Sequence, residues 1–480
     1  MSGFLDKYQI ERGSFEPTWD SLRKFETPDW FRNAKLGIWA HWGPQSLPMF
    51  GDWYARNMYM EGQRQYRHHR RVYGHPSKHG WKDIVKLWKA EKFDPEGLMD
   101  LYTAAGARYF VAQAVHHDNF DNWDSAHNPW NATKVGPMKN IVGLWKAAAS
   151  KRGLKFGVTE HLGASFSWWR GNKECDASGP YAGVPYDGND PAYKDFYHDN
   201  KGEKDAWLTD NVKWHEHWFN RIKDLLDKYE PDLLYSDSGL PWDRVGLSIV
   251  AHMYNMSARR NGGRNQAVYT QKDANPGVFP IGVLDIERGQ ENEAKPYVWQ
   301  TDTCVGGWFY DVEQVYKTPA HVIEMFVDIV SKNGCLLLNF PQRPDGTLDD
   351  ENLETLRVMA GWIKVNGEGI YSTRPWKTAG EGPTIIQSGS FKEKPLEWTT
   401  ADFRFTAKGG SVYAFQMRYP ERREAFIRSL GKSKGIEVSG VRVLGATDRV
   451  IWNQAEDGLL VQLPEKKTCD LVPCFKIETG

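Results

Sequence analysis

The feature that most constrains this chain is a regular alternation of short apolar runs with longer amphipathic stretches, from about residue 36 to residue 365. Runs rich in Val, Ile, Leu and Phe are typical of buried parallel strands, and the amphipathic stretches are typical of helices that cover such a sheet. We predict helices at 211–229 and 319–333, where apolar residues recur at three and four positions. We predict strands at LGIWA (36–40), RYFVAQAV (108–115), LKFGVTE (154–160), DLLYS (232–236), AVYTQ (267–271), GVLDI (282–286) and CLLLNF (335–340), and a weaker one at 297–300. This succession favours an α/β fold of the (β/α)8 type, the TIM barrel.

After about residue 375 the pattern changes to alternation with a period of two and frequent turns. It is visible in FRFTA (403–407), SVYAFQM (411–417), VRVLG (441–445), DRVIW (448–452) and LLVQL (459–463). This pattern indicates antiparallel strands with one polar face. We therefore predict a barrel domain at residues 1–368 and a C-terminal antiparallel β-sandwich at residues 369–480.

The charge balance argues against partners that recognise strongly charged surfaces. The chain has 61 Lys and Arg residues and 62 Asp and Glu residues, with a formal net charge of -1. We therefore expect neither a nucleic acid nor a membrane as partner. Aromatic residues make up 14% of the chain, with 22 Trp. Indole rings pack well on the flat C–H faces of sugars, but a large Trp-rich core explains the same composition.

The cysteines and the N-terminal residues bear on the compartment. Five scattered Cys without a CxxC pair argue against a disulfide scaffold or a zinc ribbon. The N-terminal residues lack the apolar run of a signal peptide, and no later stretch is long and apolar enough to span a membrane. We leave the location open between periplasmic or secreted, if a signal peptide was trimmed, and cytoplasmic.

Chemically versatile side chains directly follow five of the predicted strands. In a barrel the C-terminal strand ends form the mouth at which active sites lie. Turn-forming residues are usual there, so one polar tip means little, whereas five together indicate a site. The polar tips are His41, His116 with His117 and Asp118, Glu160 with His161, Asp237, and Glu287 with Arg288.

Asp237 and Glu287 are the best candidates for a catalytic carboxylate pair. Hydrolysis of a glycosidic bond with retention needs an ionised nucleophile and a protonated acid about 5 to 5.5 Å apart. Asp237 lies among polar neighbours that keep a carboxylate ionised. Glu287 follows apolar Ile286, where partial desolvation raises the pKa of a carboxyl group. For either residue alone, an ion pair or a loop cap is the alternative.

Three histidines, His41, His116 and His117, offer directed hydrogen bonds to sugar hydroxyls. A metal site is the alternative, because the sequence His-His-Asp provides nitrogen and oxygen ligands. Adjacent residues on an extended strand point to opposite faces, so we expect no metal unless the strand ends before His116. A purely structural role for the histidines is a third possibility.

Several further residues are candidates for contacting a sugar. Trp53, Trp123 and Trp308 are candidates for stacking on a ring, although most of the 22 Trp must belong to the core. Arg288 is expected to bind a hydroxyl or to orient a carboxylate. Asp52 is expected to accept two hydroxyls, with a loop cap as the alternative.

Nine motifs in the same chain order carry a resemblance to a known family. They are LGIWAHWG (36–43), GDWYARNM (51–58), HHDNFDNW (116–123), PWN (129–131), PDLLYSD (231–237), DIERG (285–289), WQTD (299–302), GWFY (307–310) and CLLLN (335–339). Together they span essentially the whole predicted barrel. On these motifs the chain resembles the α-L-fucosidases of glycoside hydrolase family 29.

The resemblance implies a retaining exo-α-L-fucosidase that acts on an oligosaccharide or glycan through a covalent glycosyl-enzyme intermediate. It implies that Asp237 is the nucleophile and Glu287 the acid/base, and that no cofactor is needed. The residues implied to line the subsite for the terminal sugar are His41, Trp53, His116, His117 and Trp308.

Several departures from the family pattern bear on which sugar is bound, among them the atypical segment EHLG (160–163). Asp52 stands where Glu is frequent, Tyr235 stands where Trp is frequent, and Ser238 follows the nucleophile where Gly is common. We keep Tyr235 and Asp52 as substrate-binding candidates. L-galactose, which has a hydroxymethyl group in place of the C5 methyl of L-fucose, is the alternative substrate. A carbohydrate-binding protein without catalysis is the alternative from another class.

Overall fold

The largest unit of this computed structural model, which describes residues 9–204 and 206–479, is a closed barrel of eight parallel strands. Each strand pairs with the next along the chain, and the first pairs with the last to close the barrel. The strands are β1 (Leu36–Ala40), β2 (Tyr109–Val115), β3 (Lys155–Glu160), β4 (Leu233–Ser236), β5 (Val268–Gln271), β6 (Val283–Asp285), β7 (Trp299–Cys304) and β8 (Gly334–Asn339). The predicted (β/α)8 barrel is confirmed, and the weakly predicted eighth strand corresponds to β7.

Alternate strand residues fill the barrel interior. Trp39 of β1, Val111 of β2, Tyr235 of β4 and Leu337 of β8 belong to one buried cluster. The intervening residues, such as Ile38, belong to the larger core that the helices cover. Both faces of the strands are therefore buried, which explains why they read as continuous apolar runs in the sequence.

The helices surround the barrel, and several of them begin at a side-chain N-cap. The predicted helix at 211–229 is observed at Val212–Tyr229, where the Asn211 side chain accepts hydrogen bonds from two backbone N–H groups. The predicted helix at 319–333 ends earlier, at Ser331. The α-helices are α1 (Trp19–Leu22), α2 (Asp29–Ala34), α3 (Tyr54–Asn57), α4 (Arg64–Val72), α5 (Trp81–Leu87), α6 (Pro95–Ala104), α7 (Ile141–Lys151), α8 (Ser165–Trp168), α9 (Lys194–Tyr197), α10 (Val212–Tyr229), α11 (Arg244–Arg260), α12 (Pro319–Ser331) and α13 (Asp350–Asn366). Within the described residues, no helix is both long enough and apolar enough to cross a bilayer.

The C-terminal region forms two antiparallel sheets, as predicted. One sheet has five strands in the order β13-β16-β11-β10-β9, and the other has three in the order β12-β15-β14. Their bounds are β9 (Arg374–Glu381), β10 (Phe403–Lys408), β11 (Ser411–Gln416), β12 (Glu424–Ile427), β13 (Val438–Val443), β14 (Ile451–Gln454), β15 (Leu459–Gln462) and β16 (Cys474–Thr479). The domain boundary at residue 368 stays a prediction, and it falls between the end of α13 and the start of β9.

A buried ionic cluster fastens the C-terminal sheets to the barrel. Asp328 of α12 lies 2.5 Å from Nε of Arg404 on β10 and 2.6 Å from Nζ of Lys332. Burial pushes the pKa of Asp328 upward, but the two cations outweigh burial and hold this pKa below its ordinary value. A second link is the Trp362 indole N–H, which donates to the Leu471 carbonyl at 2.9 Å.

Candidate active site

A cavity of about 510 Å³ opens at the C-terminal ends of the barrel strands. The barrel brings side chains that are far apart in sequence to this one opening. This was expected, because these side chains follow the C-terminal ends of the strands. All the predicted catalytic and sugar-binding residues except Arg288 and Trp123 line the cavity, whereas the strand-end residues Asp118 and Glu160 do not. Its lining residues are Trp39, His41, Asp52, Trp53, His116, His117, His161, Trp207, Tyr235, Asp237, Ser238, Lys272, Glu287, Asp302, Trp308 and Phe391.

Asp237 directly follows β4 and is surrounded by groups that favour its ionised form. Oδ1 lies 2.6 Å from Nζ of Lys272, and Oδ2 lies 3.4 Å from Nε2 of His117 and 3.6 Å from Nδ1 of His161. Burial pushes the pKa of Asp237 upward, but Lys272 and the two imidazoles outweigh burial and hold it well below its ordinary range. Asp237 is therefore a carboxylate at neutral pH.

Glu287 lies just beyond β6, on the same cavity, and is tuned in the opposite direction. Burial and the nearby carboxylate of Asp302 raise the pKa of Glu287 to about 7, although the Lys272 ammonium partly opposes them. A carboxyl group with such a pKa exchanges a proton near neutral pH, as a general acid and base must.

Lys272 connects the two carboxylates and was not among the predicted site residues. It directly follows β5, and its Nζ donates hydrogen bonds to both Asp237 and Glu287. Burial alone would lower the pKa of Lys272, but the surrounding carboxylates outweigh it and raise this pKa well above its ordinary value. Since one nitrogen bonds both acceptors, the bonded oxygens of Asp237 and Glu287 are at most about 6 Å apart.

Both adjacent histidines face the cavity, because β2 ends one residue before His116. The rule that neighbouring strand residues point to opposite faces therefore does not apply to them. Nδ1 of His117 donates to the His161 carbonyl at 2.6 Å, whereas Nδ1 of His116 accepts from the Gln45 amide at 2.8 Å. Burial holds the pKa of His41 and His116 well below 6.5 and that of His161 at about 3. Neutral imidazoles of this kind suit hydrogen bonding to hydroxyl groups.

Two triads in the described part of the chain bring possible metal ligands together. The ligand atoms within each triad lie within 4.8 Å of one another, and the triads are His41, His116 and His161, and His117, His161 and Asp237. In the second triad Lys272 already neutralises the carboxylate. The expectation that the site works without a metal stays a prediction.

Asp52 and Trp53 lie on the loop after β1 and provide a carboxyl group and an indole. Burial raises the pKa of Asp52 to about 7, and its Oδ1 has no hydrogen-bond partner among the described residues. Nε2 of His116 is 4.0 Å away. Trp53 has a φ of 57° and stacks on Trp207 at 5.9 Å. A buried acceptor without a partner, facing a cavity, is the arrangement expected for binding a ligand hydroxyl.

Tyr235 and Trp308 form further parts of the cavity wall. The Tyr235 hydroxyl donates to Asp302 at 3.1 Å and lies 3.4 Å from Oδ1 of Asp237. Trp308 packs on His41 at 5.5 Å between ring centres. Trp123 does not reach the cavity; it is fully buried, and its indole donates to Asp224.

Arg288, like Trp123, is a predicted site residue that the structure does not bring to the cavity. Its backbone has a φ of 44°, and its N–H donates to the Asp302 carbonyl at 2.8 Å. Its guanidinium nitrogen Nε lies 3.7 Å from Glu393 instead. The left-handed backbone conformation directs the side chain of Arg288 away from that of Glu287. The adjacency of the two residues in the sequence does not predict this difference.

Two aromatic residues at the cavity, Trp207 and Phe391, had no sequence signal. Trp207 lies in the loop before α10, and Phe391 lies between β9 and β10 of the C-terminal region. Neither follows a barrel strand. Asp302 had a signal, because it lies in the WQTD motif, but sequence reasoning gave it no role.

Comparisons with known proteins show to which family the chain belongs. The family model described as alpha-L-fucosidase matches residues 4–368, and that described as alpha-L-fucosidase C-terminal domain matches residues 397–478. The chain is 27% identical to tissue alpha-L-fucosidase of Rattus norvegicus, over 94% of this chain and 89% of the relative. It is 28% identical to plasma alpha-L-fucosidase of Homo sapiens, over 96% and 90%.

Solved structures have the same fold. The Thermotoga maritima alpha-fucosidase in complex with fucose aligns with a TM-score of 0.75 at 23% identity, over 96% of this chain and 100% of that one. Alpha-L-fucosidase isoenzyme 1 from Paenibacillus thiaminolyticus aligns with a TM-score of 0.68 at 19% identity, over 94% and 98%. With the barrel, the C-terminal sheets and both family models in agreement, the chain belongs to the α-L-fucosidase family, glycoside hydrolase family 29.

Proposed function

We propose that this enzyme removes terminal α-L-fucose from a glycan with retention of configuration, using Asp237 as nucleophile and Glu287 as acid/base. The observation that carries the proposal is the opposite tuning of two carboxyl groups on one cavity. The pKa of Asp237 is held well below its ordinary range, while that of Glu287 is raised to about 7. Environments that separate two pKa values in this way identify which group attacks and which donates the proton.

The separation of the carboxylates favours retention. Retaining enzymes hold the two groups about 5 to 5.5 Å apart, and inverting enzymes hold them about 6.5 to 9.5 Å apart to accommodate a water molecule. The shared Lys272 ammonium keeps the bonded oxygens of Asp237 and Glu287 within about 6 Å, since each is one hydrogen bond from the same atom. This spacing supports direct attack by Asp237 on the anomeric carbon.

In the first step Asp237 attacks the anomeric carbon, and protonated Glu287 gives its proton to the departing oxygen. The C–O bond to the leaving group breaks as the ester bond to Asp237 forms. Esterification removes the negative charge of Asp237, which contributes to raising the pKa of Glu287. The pKa of Glu287 therefore falls once the intermediate has formed.

In the second step the ionised Glu287 takes a proton from water, and the hydroxide attacks the anomeric carbon. The ester bond to Asp237 breaks, and the carboxylate returns to its contacts with Lys272, His117 and His161. Two inversions give net retention, and Glu287 regains the proton that it donates in the next cycle.

The rest of the cavity supplies polar and aromatic contacts for the terminal sugar. We propose that His41, His116, His117 and Asp52 bind its hydroxyl groups, and that Trp53 and Trp308 pack on its apolar surface. Oδ1 of Asp52 and Nδ1 of His41 are buried and have no hydrogen-bond partner in the described part of the chain, which supports this assignment. No contact is assigned to Arg288.

Hydrolysis of an aryl α-L-fucoside and an aryl α-L-galactoside, measured side by side, tests the proposed function. We expect a higher kcat/KM for the fucoside and loss of turnover in Asp237→Ala. Asp20→Ala is the control, because Asp20 is exposed and does not line the cavity. Preference for the galactoside would reassign the sugar. No turnover of either compound by the unaltered enzyme would favour a non-catalytic carbohydrate-binding protein. Near-normal activity of the Asp237→Ala variant would exclude Asp237 as the nucleophile.

A further inference from the structure

We propose that Trp207 and Phe391 form the subsite for the leaving group, and that this subsite takes a neutral pyranose through its apolar face. The inference rests on the proposed function, because a leaving group exists only if the cavity binds a terminal sugar. It assigns a role to the two aromatic side chains at the cavity that do not follow a barrel strand.

Phe391 is an exposed aromatic side chain held at the cavity in an unfavourable backbone conformation. It lines the cavity, yet 67% of it is exposed, so it contributes little to a hydrophobic core. Its φ is 57°, in the left-handed region that bulky residues rarely adopt. Strain of this kind persists only where the surroundings impose it, and it concentrates at functional sites.

The segment that carries Phe391 is hydrogen-bonded to the loop that carries the proposed acid/base. The Phe391 N–H donates to the Glu287 carbonyl at 2.8 Å, and the Glu393 N–H donates to the Arg288 carbonyl at 3.0 Å. The Gly389 N–H donates to the Gln290 carbonyl at 3.1 Å. Phe391 is therefore held beside the residue that protonates the departing oxygen, which is where the leaving group begins.

The side chain of Glu393 anchors this segment to the barrel. Oε2 of Glu393 accepts from the Thr303 hydroxyl at 2.8 Å, and Oε1 lies 3.2 Å from Nζ of Lys317. The Glu393 carboxylate is largely buried, so these charge-assisted contacts hold the segment in place. The C-terminal region thus places Phe391 at the cavity, in a segment that is anchored to the barrel.

Trp207 approaches the cavity from a different part of the barrel rim. Its indole N–H donates to Oγ of Ser238 at 2.5 Å, and its ring stacks on Trp53 at 5.9 Å and meets His117 edge-on at 5.2 Å. Although 41% of Trp207 is exposed, three contacts hold its ring. Ser238 directly follows the proposed nucleophile, so Trp207 is held close to the reacting centre.

The chemistry of these two side chains selects the ligand class. Flat aromatic rings favour the C–H face of a pyranose, and they offer no charge to pair with a sulfate or carboxylate. The ammonium of Lys272 is already shared between two carboxylates. A neutral sugar with one apolar face is therefore the leaving group that fits best.

The experiment compares two substrates that differ in whether they carry a leaving-group ring. One is α-L-fucosyl fluoride, and the other is the fucosyl disaccharide that the unaltered enzyme cleaves fastest in a panel of linkages. For Phe391→Leu, which keeps an apolar side chain but removes the ring, we expect kcat/KM to fall about tenfold on the disaccharide and to stay within about twofold on the fluoride. Phe391→Tyr should restore the activity on the disaccharide.

Ile385→Ala is the matched control, because Ile385 lies in the same segment, is 82% exposed and does not line the cavity. It should leave both substrates unaffected. Trp207→Ala should lower kcat/KM on both substrates, because Trp207 also contacts Trp53 and His117, but it should lower it more on the disaccharide than on the fluoride. Equal losses on both substrates, or no loss on the disaccharide, would overturn the subsite while leaving the proposed function intact. Failure of the unaltered enzyme to cleave either compound would overturn both.

Discussion

Nζ of Lys272 lies 2.6 Å from Oδ1 of Asp237, and the same ammonium also hydrogen-bonds Glu287. The lysine therefore sets the charge of the proposed nucleophile and the pKa of the proposed acid at once. It stabilises the ionised form of each carboxyl group, although Glu287 still titrates near neutrality because burial and Asp302 oppose the lysine. This coupling makes the pH dependence of the reaction a direct test of the arrangement.

Replacing Lys272 with Met should lower kcat/KM at neutral pH by about 10²-fold, since a preorganised charge is lost from the reacting centre. Lys272 lowers the pKa of both Asp237 and Glu287, so both limbs of the pH profile should move to higher pH. Steady-state kinetics between pH 4 and 9 measure the shift, with Lys272→Arg as the charge-conserving control. A profile that stays in place would contradict the role given to Lys272.

For the unaltered enzyme, kcat/KM on an unactivated aryl fucoside should fall as the pH rises through about 7. The protonated form of Glu287 is the active acid. Because the pKa of Glu287 is raised to about 7, the carboxyl group keeps its proton below pH 7 and loses it above pH 7. Glu287→Gln should abolish this alkaline limb and should slow poor leaving groups more than activated ones.

Asp52 also has a pKa of about 7, so Asp52→Asn is the necessary comparison. It should weaken binding but keep the alkaline limb, because Asp52 is not assigned to proton transfer. An alkaline limb that survives in Glu287→Gln and disappears in Asp52→Asn would reverse the two assignments.

Replacing Ser238 with Gly should raise the thermal midpoint. Ser238 has a φ of 90°, a conformation that costs a residue with a Cβ roughly 1 to 2 kcal/mol and costs Gly almost nothing. The neighbouring Gly239→Ala is the matched control with the opposite sign, because its φ is 98°. Thermal unfolding followed by circular dichroism measures both, and a lower midpoint for Ser238→Gly would show that the hydrogen bond to Trp207 outweighs the strain.

Replacing Asp328 with Ala should destabilise the protein by about 3 to 5 kcal/mol, because Arg404 and Lys332 would remain buried without their counter-ion. Glu354→Ala removes an exposed ion pair with Arg357 and should cost at most about 1 kcal/mol. Denaturant unfolding of both variants gives the comparison. Equal small effects would mean that the interface does not depend on the buried carboxylate.

The barrel was predictable because its strands are buried on both faces and carry an unbroken apolar signal. Asp237 and Glu287 were predictable from a second rule, that the active site of a barrel lies at the C-terminal ends of its strands. Lys272 follows β5 and obeys this rule as well, so applying the rule to β5 would have found it.

Other parts of the site had no local signal in the sequence. Phe391 reaches the cavity through backbone hydrogen bonds to the Glu287 loop, and these depend on how the C-terminal sheets pack on the barrel. Arg288 was predicted from its adjacency to Glu287, but its positive φ directs the side chain elsewhere. Long-range packing and single-residue backbone conformations are the two kinds of information that apolar periodicity does not carry.

The central claim, that Asp237 forms a covalent bond to the sugar, is tested most directly by trapping the intermediate. A 2-deoxy-2-fluoro-L-fucosyl fluoride slows the second step, so the labelled enzyme should accumulate, and peptide mapping by mass spectrometry should place the label on Asp237. Attachment to Glu287 or another residue, or complete turnover with release of the anomer of inverted configuration, would contradict the account.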